Sequence, residues 1–198
     1  MTEIVDYGTL KTSLGSVSHR SDLVSEYGGF ISLALSTINS ELRCRQMEKT
    51  ATINSSTKDF TLPADFLEMR SIYKGTRELQ SLISPNQRND CDWSREPAYS
   101  IRGSTLELRP EPTTSTDLEI TYYARLAMFV SDTDTNTVLT TYPTLYLDGA
   151  MERLKLHIVD SDGEINKWAS RFMNQIRQIN SESEKAQYSG SPMSIRGY

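Results

Sequence analysis

The hydrophobic period changes twice along this chain, and that change limits its fold more than any single motif. In "SDLVSEYGGFISLALSTINSELRC", residues 21–44, apolar side chains recur at Leu23, Tyr27, Phe30, Ile31, Ala34, Ile38 and Leu42. A spacing of three and four lines one face of a helix. From Thr50 the texture becomes short β-favouring runs punctuated by Gly, Pro, Asn and Asp, as strands and turns require. The helical period returns with Leu147, Ala150, Met151, Leu154 and Ile158, then with Ile165, Trp168, Phe172, Ile176 and Ile179. The order is helix–helix, β insertion, helix–helix and a tail. The economical packing of those faces is an α+β fold, with an antiparallel bundle of about four helices from residues 1–49 and 126–187. Residues 50–125 read as a small antiparallel β module, and residues 188–198 as an extended C-terminal tail.

Local signals refine this plan. Residues 2–14 read as a first helix with Ile4, Val5, Leu10 and Leu14 inward. Ser21 is a candidate N-cap, and Asp22 would sit where the helix dipole favours an acid. The Gly28–Gly29 pair costs that helix about 1 kcal/mol per glycine relative to alanine, so a close contact or a bend is expected there. "SIRGSTLELRPEP" predicts a hairpin turning at Gly103–Ser104, and "TDLEITYYARL" alternates Leu118, Ile120 and Tyr122 against Glu119 and Thr121. Residues 130–143 read as a polar loop, with Pro143 suited to the first turn of the next helix. "DSDGE" at 160–164 reads as an interhelical turn. Periodicity fades near Lys185, and the closing "SGSPMSIRGY" has none.

Composition narrows the function. The chain has 198 residues, one ordinary domain or a small domain with an insertion, and a formal net charge of −5. That balance argues against gripping nucleic acid by its phosphates, although DNA could slide past such a surface. No apolar run approaches the roughly 20 residues of a membrane span, and no signal-peptide pattern opens the sequence, so a soluble, unexported protein is expected. Cys44 and Cys91 lie far apart without CxxC spacing, and read as two free thiols.

Chemistry is sparse. The two histidines are His19, in a polar linker, and His157, beside an apolar helix stripe with no Cys, Asp or Glu four residues to either side. Asp132, Asp134 and Asn136 open a stretch like a calcium loop, but its sixth position is Thr137 and its twelfth Pro143, where an EF-hand needs Gly and Glu. No GxGxxG, P-loop, HExxH or GxSxG occurs, so no catalytic residue, metal or cofactor is expected. Ten tyrosines against five phenylalanines and two tryptophans tilt the chain toward aromatics that suit half-wet contacts between proteins. Tyr122, Tyr123, Tyr142, Tyr146, Tyr188 and Tyr198 fall around the second helix pair and the tail.

Four segments, in order, resemble the head-to-tail adaptor proteins of tailed bacteriophages. They are "LVSEYGGFISLALSTINSELRCRQME", "FTLPADFLEMRSI", "TYPTLYLDGAMERLKLHIVDSDGEINKWASRF" and the closing "SGSPMSIRGY", spanning about residues 5–198. The resemblance implies a helical bundle with a β insertion. It also implies a structural virion protein at the head–tail junction, assembled in the host cytoplasm. Such proteins form a ring, typically of twelve copies, below the portal protein. The ring completes the DNA-filled head, extends the DNA channel and docks tail proteins (nozzle, tail-tube or neck), while viral DNA passes without specific binding. In that family the C-terminal extension binds the portal, a role that falls here on Tyr188, Gly190, Pro192, Met193, Ser194, Ile195, Arg196 and Tyr198. Met193 and Ile195 alternate, so an extended tail would present both to one row of pockets while Arg196 meets a carboxylate or carbonyl. Two other readings stay open. One is another neck component, such as a stopper or tail-terminator. The other is a monomeric carbohydrate- or peptide-binding module, using Trp93, Tyr99 and Tyr122 of the β insertion.

Overall fold

In the computed structural model, residues 3–82 and 97–188 are described. Contacts divide the chain into two units, Met1–Met47 with Leu126–Tyr198, and Glu48–Arg125. The first unit is helical and the second is built of strands, so the chain is a mixed α+β protein.

The first helix, α1, runs Tyr7–Ser18 and begins later than its sequence suggests. Asp6 decides the start. Its carboxylate accepts from the Thr9 amide at 2.8 Å, and Thr9 Oγ1 accepts from the Asp6 amide at 3.0 Å. This reciprocal cap leaves Ile4 and Val5 outside the helix, and Val5 is exposed rather than inward. Leu10 and Leu14 are buried as expected.

Ser21 does not cap a helix. Ser21–Glu26 form a 3₁₀ turn, and Asp22 is held by the Arg20 guanidinium at 2.8 and 2.7 Å instead of facing helix amides. The second helix, α2, spans Tyr27–Glu41 and buries Tyr27, Phe30, Ile31, Ala34 and Ile38 along the expected stripe, together with Leu35. Leu23 is only half-buried. The glycine pair opens the helix rather than interrupting it. A Cβ at Gly28 would stand 2.6 Å from Tyr7 Oη, so Gly28 makes the close contact, whereas Gly29 faces open space.

The segment read as a loop contains a short helix, α3, Thr137–Thr141. Asn136 caps it, accepting from the Leu139 amide at 2.8 Å, and Val138 and Leu139 are buried. The next helix, α4, Pro143–His157, starts on proline as expected and is buried almost all round, Leu145 through Met151 and Leu154. It packs against α1 and α2, and also against the last helix, α5, Asp162–Tyr188. Gly149 marks the crossing: a Cβ there would lie 2.9 Å from both Ala34 Cβ and Phe172 Cε2. Only part of "DSDGE" is a turn, since Asp162, Gly163 and Glu164 already belong to α5. Phe172, Ile176 and Ile179 are buried along α5, with Ile165 and Trp168 half-buried.

The strand unit has eight strands among its described residues. These are β1 (Glu48–Ser55), β2 (Asp59–Thr61), β3 (Phe66–Lys74), β4 (Arg77–Glu78), β5 (Gln80–Ser81), β6 (Ala98–Arg102), β7 (Thr105–Arg109) and β8 (Thr116–Ala124). They form two sheets, ordered β1-β8-β3-β4 and β2-β7-β6-β5. The pairings are antiparallel apart from β5 with β6, which is parallel and corrects the purely antiparallel expectation. Strand β8 buries Leu118, Ile120 and Tyr122 with its intervening residues outward. Leu106 and Leu108 of β7 and Phe60 of β2 join them in one core, so two half-apolar sheets bury their faces together. The β6–β7 hairpin turns at Gly103–Ser104, and Gly103 supplies the positive φ, +59°, that a tight two-residue loop needs.

Candidate functional site

The residues singled out for partner binding lie at the C-terminal end. Tyr188 is the last residue of α5, while Gly190, Pro192, Met193, Ser194, Ile195, Arg196 and Tyr198 fall outside the described residues. What the structure gives is the base from which that tail departs.

The base is α5, 27 residues long, about 40 Å at roughly 1.5 Å per residue. Its inward stripe continues past Ile179 to Ser183, a buried hydroxyl where a hydrocarbon would be expected. Ser183 Oγ accepts from the Arg45 amide at 3.1 Å. One turn earlier Asn180 accepts from the Arg43 amide at 2.8 Å, and its side-chain amide donates to the Glu41 carbonyl at 3.0 Å. Backbone groups left over where α2 ends are thereby satisfied by α5 side chains. Asn39 does the same where the chain returns. Its amide donates to the Leu126 carbonyl at 3.1 Å, and its oxygen accepts from the Leu126 amide at 2.8 Å. Sequence reasoning missed Asn39, Asn180 and Ser183. The available signal was a polar residue standing on or beside an apolar stripe.

A buried charge fixes α5 further along. Asp148 of α4 is 1% exposed and meets Arg171 Nε at 3.2 Å and Gln175 Nε2 at 2.8 Å. Burial pushes its carboxyl above the ordinary range, with the Arg171 charge working the other way. The Arg171 guanidinium lies 4.7 Å from the centre of the Trp168 ring, which covers one face of it.

Other singled-out groups have local structural duties. Asp132 pairs with Lys11, and its carbonyl accepts from the Gly8 amide at 2.8 Å. Asp134 accepts from the Val130 and Ser131 amides at 2.7 and 2.8 Å, which hold its carboxyl below the usual range. With Asn136 capping α3, the oxygens of this loop serve the fold, and among the described residues no cluster of metal-ligating side chains occurs. His19 closes α1 in a left-handed conformation, φ 54°, and His157 tilts against Phe30 at 5.3 Å. Cys44 is buried and free, its thiol pushed up by that burial; Cys91 lies outside the described residues. A cleft of about 640 Å³ opens beside Lys11, Gly15, His19, Arg20, Tyr27 and Asp132. Its lysine and arginine are already paired with Asp132 and Asp22.

Of the three residues named for a binding-module pocket, two are described. Tyr99 and Tyr122 belong to the shared core of the sheets, and Trp93 lies outside the described residues. Tyr122 donates to Asp65 at 2.9 Å, and burial reinforced by that carboxylate pushes its hydroxyl up to about 12.

Among the described residues no helix is long and apolar enough to cross a membrane. No curated protein sequence matches the chain. The pattern of one family, described as SU10 adaptor protein, matches residues 5–196 and so takes in the helices, the strand unit and most of the tail; the chain belongs to the SU10 adaptor protein family.

Proposed function

We propose that the chain is a structural, non-enzymatic virion protein that forms a ring, of twelve copies, below the portal of a tailed phage. The ring completes the DNA-filled head, extends the DNA channel and docks the tail proteins. The observation that carries this reading is the family match over residues 5–196, because it runs through Gly190–Arg196 as well as both units. The four longer helices act as one antiparallel bundle, with residues 50–125 inserted between its halves. Tyr188, Gly190, Pro192, Met193, Ser194, Ile195, Arg196 and Tyr198 form the portal-binding segment.

The base of the tail supports this. Asn180 and Ser183 tie the last turns of α5 to residues 41–45, so a tail leaving Tyr188 starts from a fixed point. Ten residues follow it, up to about 33 Å of extended chain. One such tail binds weakly because ordering it costs entropy. Copies held in one ring act at high effective concentration, which turns weak contacts into firm attachment.

The test is a pull-down and negative-stain imaging with the portal of the same phage, comparing the full chain with one ending at Tyr188. Rings capping the portal with the full chain alone are expected. Equal capping by both would remove the portal role from the tail, and rings that never cap would indicate another neck component.

A further inference from the structure

The outward face of the second sheet gathers two arginines, and a lysine at its edge, around one buried carboxylate, on a chain whose net charge is −5. Strand alternation sets that face. Phe60, Tyr99, Leu106 and Leu108 point into the core, so Asp59, Thr61, Ser100, Arg102, Thr105, Glu107 and Arg109 share the opposite side. Glu107 lies at its centre, with only 7% of its side chain exposed. Three cations converge on it: Arg109 at 2.5 Å, Arg102 at 3.6 Å and, from just before β2, Lys58 at 3.9 Å. Arg102 and Lys58 are 60% and 40% exposed, and the buried Arg109 Nε has no hydrogen-bond partner. Asp59, opposite Glu107 in register, is exposed and offsets part of this charge.

We infer that this face is a phosphate-contacting surface, with Lys58, Arg102 and Arg109 touching the backbone of duplex DNA without reading its bases. Guanidinium forks and an ammonium group are the donors that phosphate oxygens take. The neighbours of the cations are the hydroxyls of Thr61, Ser100 and Thr105, which also suit a sugar–phosphate chain. Among the described residues, no apolar side chain larger than Ala98 lies on this face of β2, β6 and β7. A protein partner would need such an anchor. Among the described residues the face carries two arginines and two carboxylates, with Lys58 at its edge tipping the balance, and the whole chain repels DNA, so contact is brief and strongest at low salt. That DNA comes within reach rests on the adaptor reading; the chemistry of the face does not.

Fluorescence anisotropy of a labelled random-sequence duplex with the full chain, titrated between about 20 and 200 mM salt, tests this. Binding is expected to weaken steeply with salt, and Lys58→Gln with Arg102→Gln should make the log–log slope shallower by about 2. Lys74→Gln with Arg125→Gln, the same charge change at the end of β3 and just past β8, should leave the slope unchanged and controls for net charge and folding. No binding at the lowest salt, equal slopes for both double variants, or equally tight binding of polyglutamate would overturn the inference. The assay contains no portal, so its failure leaves the adaptor reading standing, and failure of portal capping leaves this surface standing.

Discussion

Each unit buries one carboxylate among its described residues, and the two are treated in opposite ways. Asp148, in the helical unit, is shut between α4 and α5 with one guanidinium and one amide. Glu107, in the strand unit, lies on the outer side of a sheet beneath three cations. The first arrangement is closed: partner and charge balance, and the pair holds one helix on another. The second sets three cations of the described residues around one buried carboxylate, and two of them, Lys58 and Arg102, stay well exposed. A buried acid therefore does not by itself mark a clamp or a binding surface. The ratio and exposure of its partners separate the two.

The comparison breaks most readily at Arg171. Arg171→Leu leaves Asp148 buried with only the Gln175 amide, and removing one partner of a buried pair costs several kcal/mol. Because the guanidinium is 50% exposed, roughly 2–3 kcal/mol of lost stability is expected in urea unfolding at neutral pH. The loss should carry a pH signature. An acid whose folded pKa is raised binds more protons folded than unfolded, so its contribution to stability falls as pH rises above the ordinary carboxylate value. Burial already gives Asp148 that sign, and losing Arg171 exaggerates it. The variant's deficit should shrink as pH is lowered toward 4. Asp65 has the opposite sign, because Lys49 holds its carboxyl down. A deficit that grows on acidification would mean that Asp148 is not the group responsible.

A second, smaller effect is expected where the helices cross. Gly149→Ala would gain up to about 1 kcal/mol of helix propensity. The new methyl would meet Ala34 Cβ and Phe172 Cε2 at 2.9 Å, and Phe172 Cζ at 3.0 Å. Overpacking of that kind costs about 1–3 kcal/mol, so a net loss of about 1–2 kcal/mol should appear as a lower urea midpoint. Adding Ala34→Gly should recover part of it. A stabilised Gly149→Ala protein would show that the crossing has room and that α4 is not held by close packing there.

What could be read in advance follows from how far each signal reaches along the chain. The α2 stripe, Pro143 at the head of α4, the alternation of β8 and the Gly103 turn are local patterns, and they appear where the periods put them. Helix α3 was hidden because five residues are too short to show a period. Ser21 misled because a serine followed by an acid looks like a cap until Arg20 takes the acid. The parallel β5–β6 pair joins strands of two and five residues across a long separation, which no local rule registers. The base of the tail was least legible. Asn39 bonds a residue 87 positions away, and Asn180 and Ser183 reach back 137 and 138. Their side chains look like surface polarity until the fold supplies the partner. The tail residues were recognised only by resemblance, since "SGSPMSIRGY" has no period of its own.

The smallest expected effect decides whether the strand unit's cations are surplus. Arg102 is 60% exposed and stands 3.6 Å from Glu107, whereas Arg109 is 2.5 Å from the same carboxylate and Lys58 is also in reach. A solvent-screened pair with two other partners in place contributes little, so Arg102→Gln should change stability by less than about 0.5 kcal/mol. The same substitution should still weaken any contact with phosphate, because the exposed fork is what an incoming oxygen meets first. Unfolding in urea and DNA anisotropy on one protein separate the two roles. A stability loss above about 1.5 kcal/mol, comparable to a hydrogen bond with a charged group, would make Arg102 part of the seal over Glu107. The face would then be a second closed clamp like Asp148, and the contrast between the units would vanish.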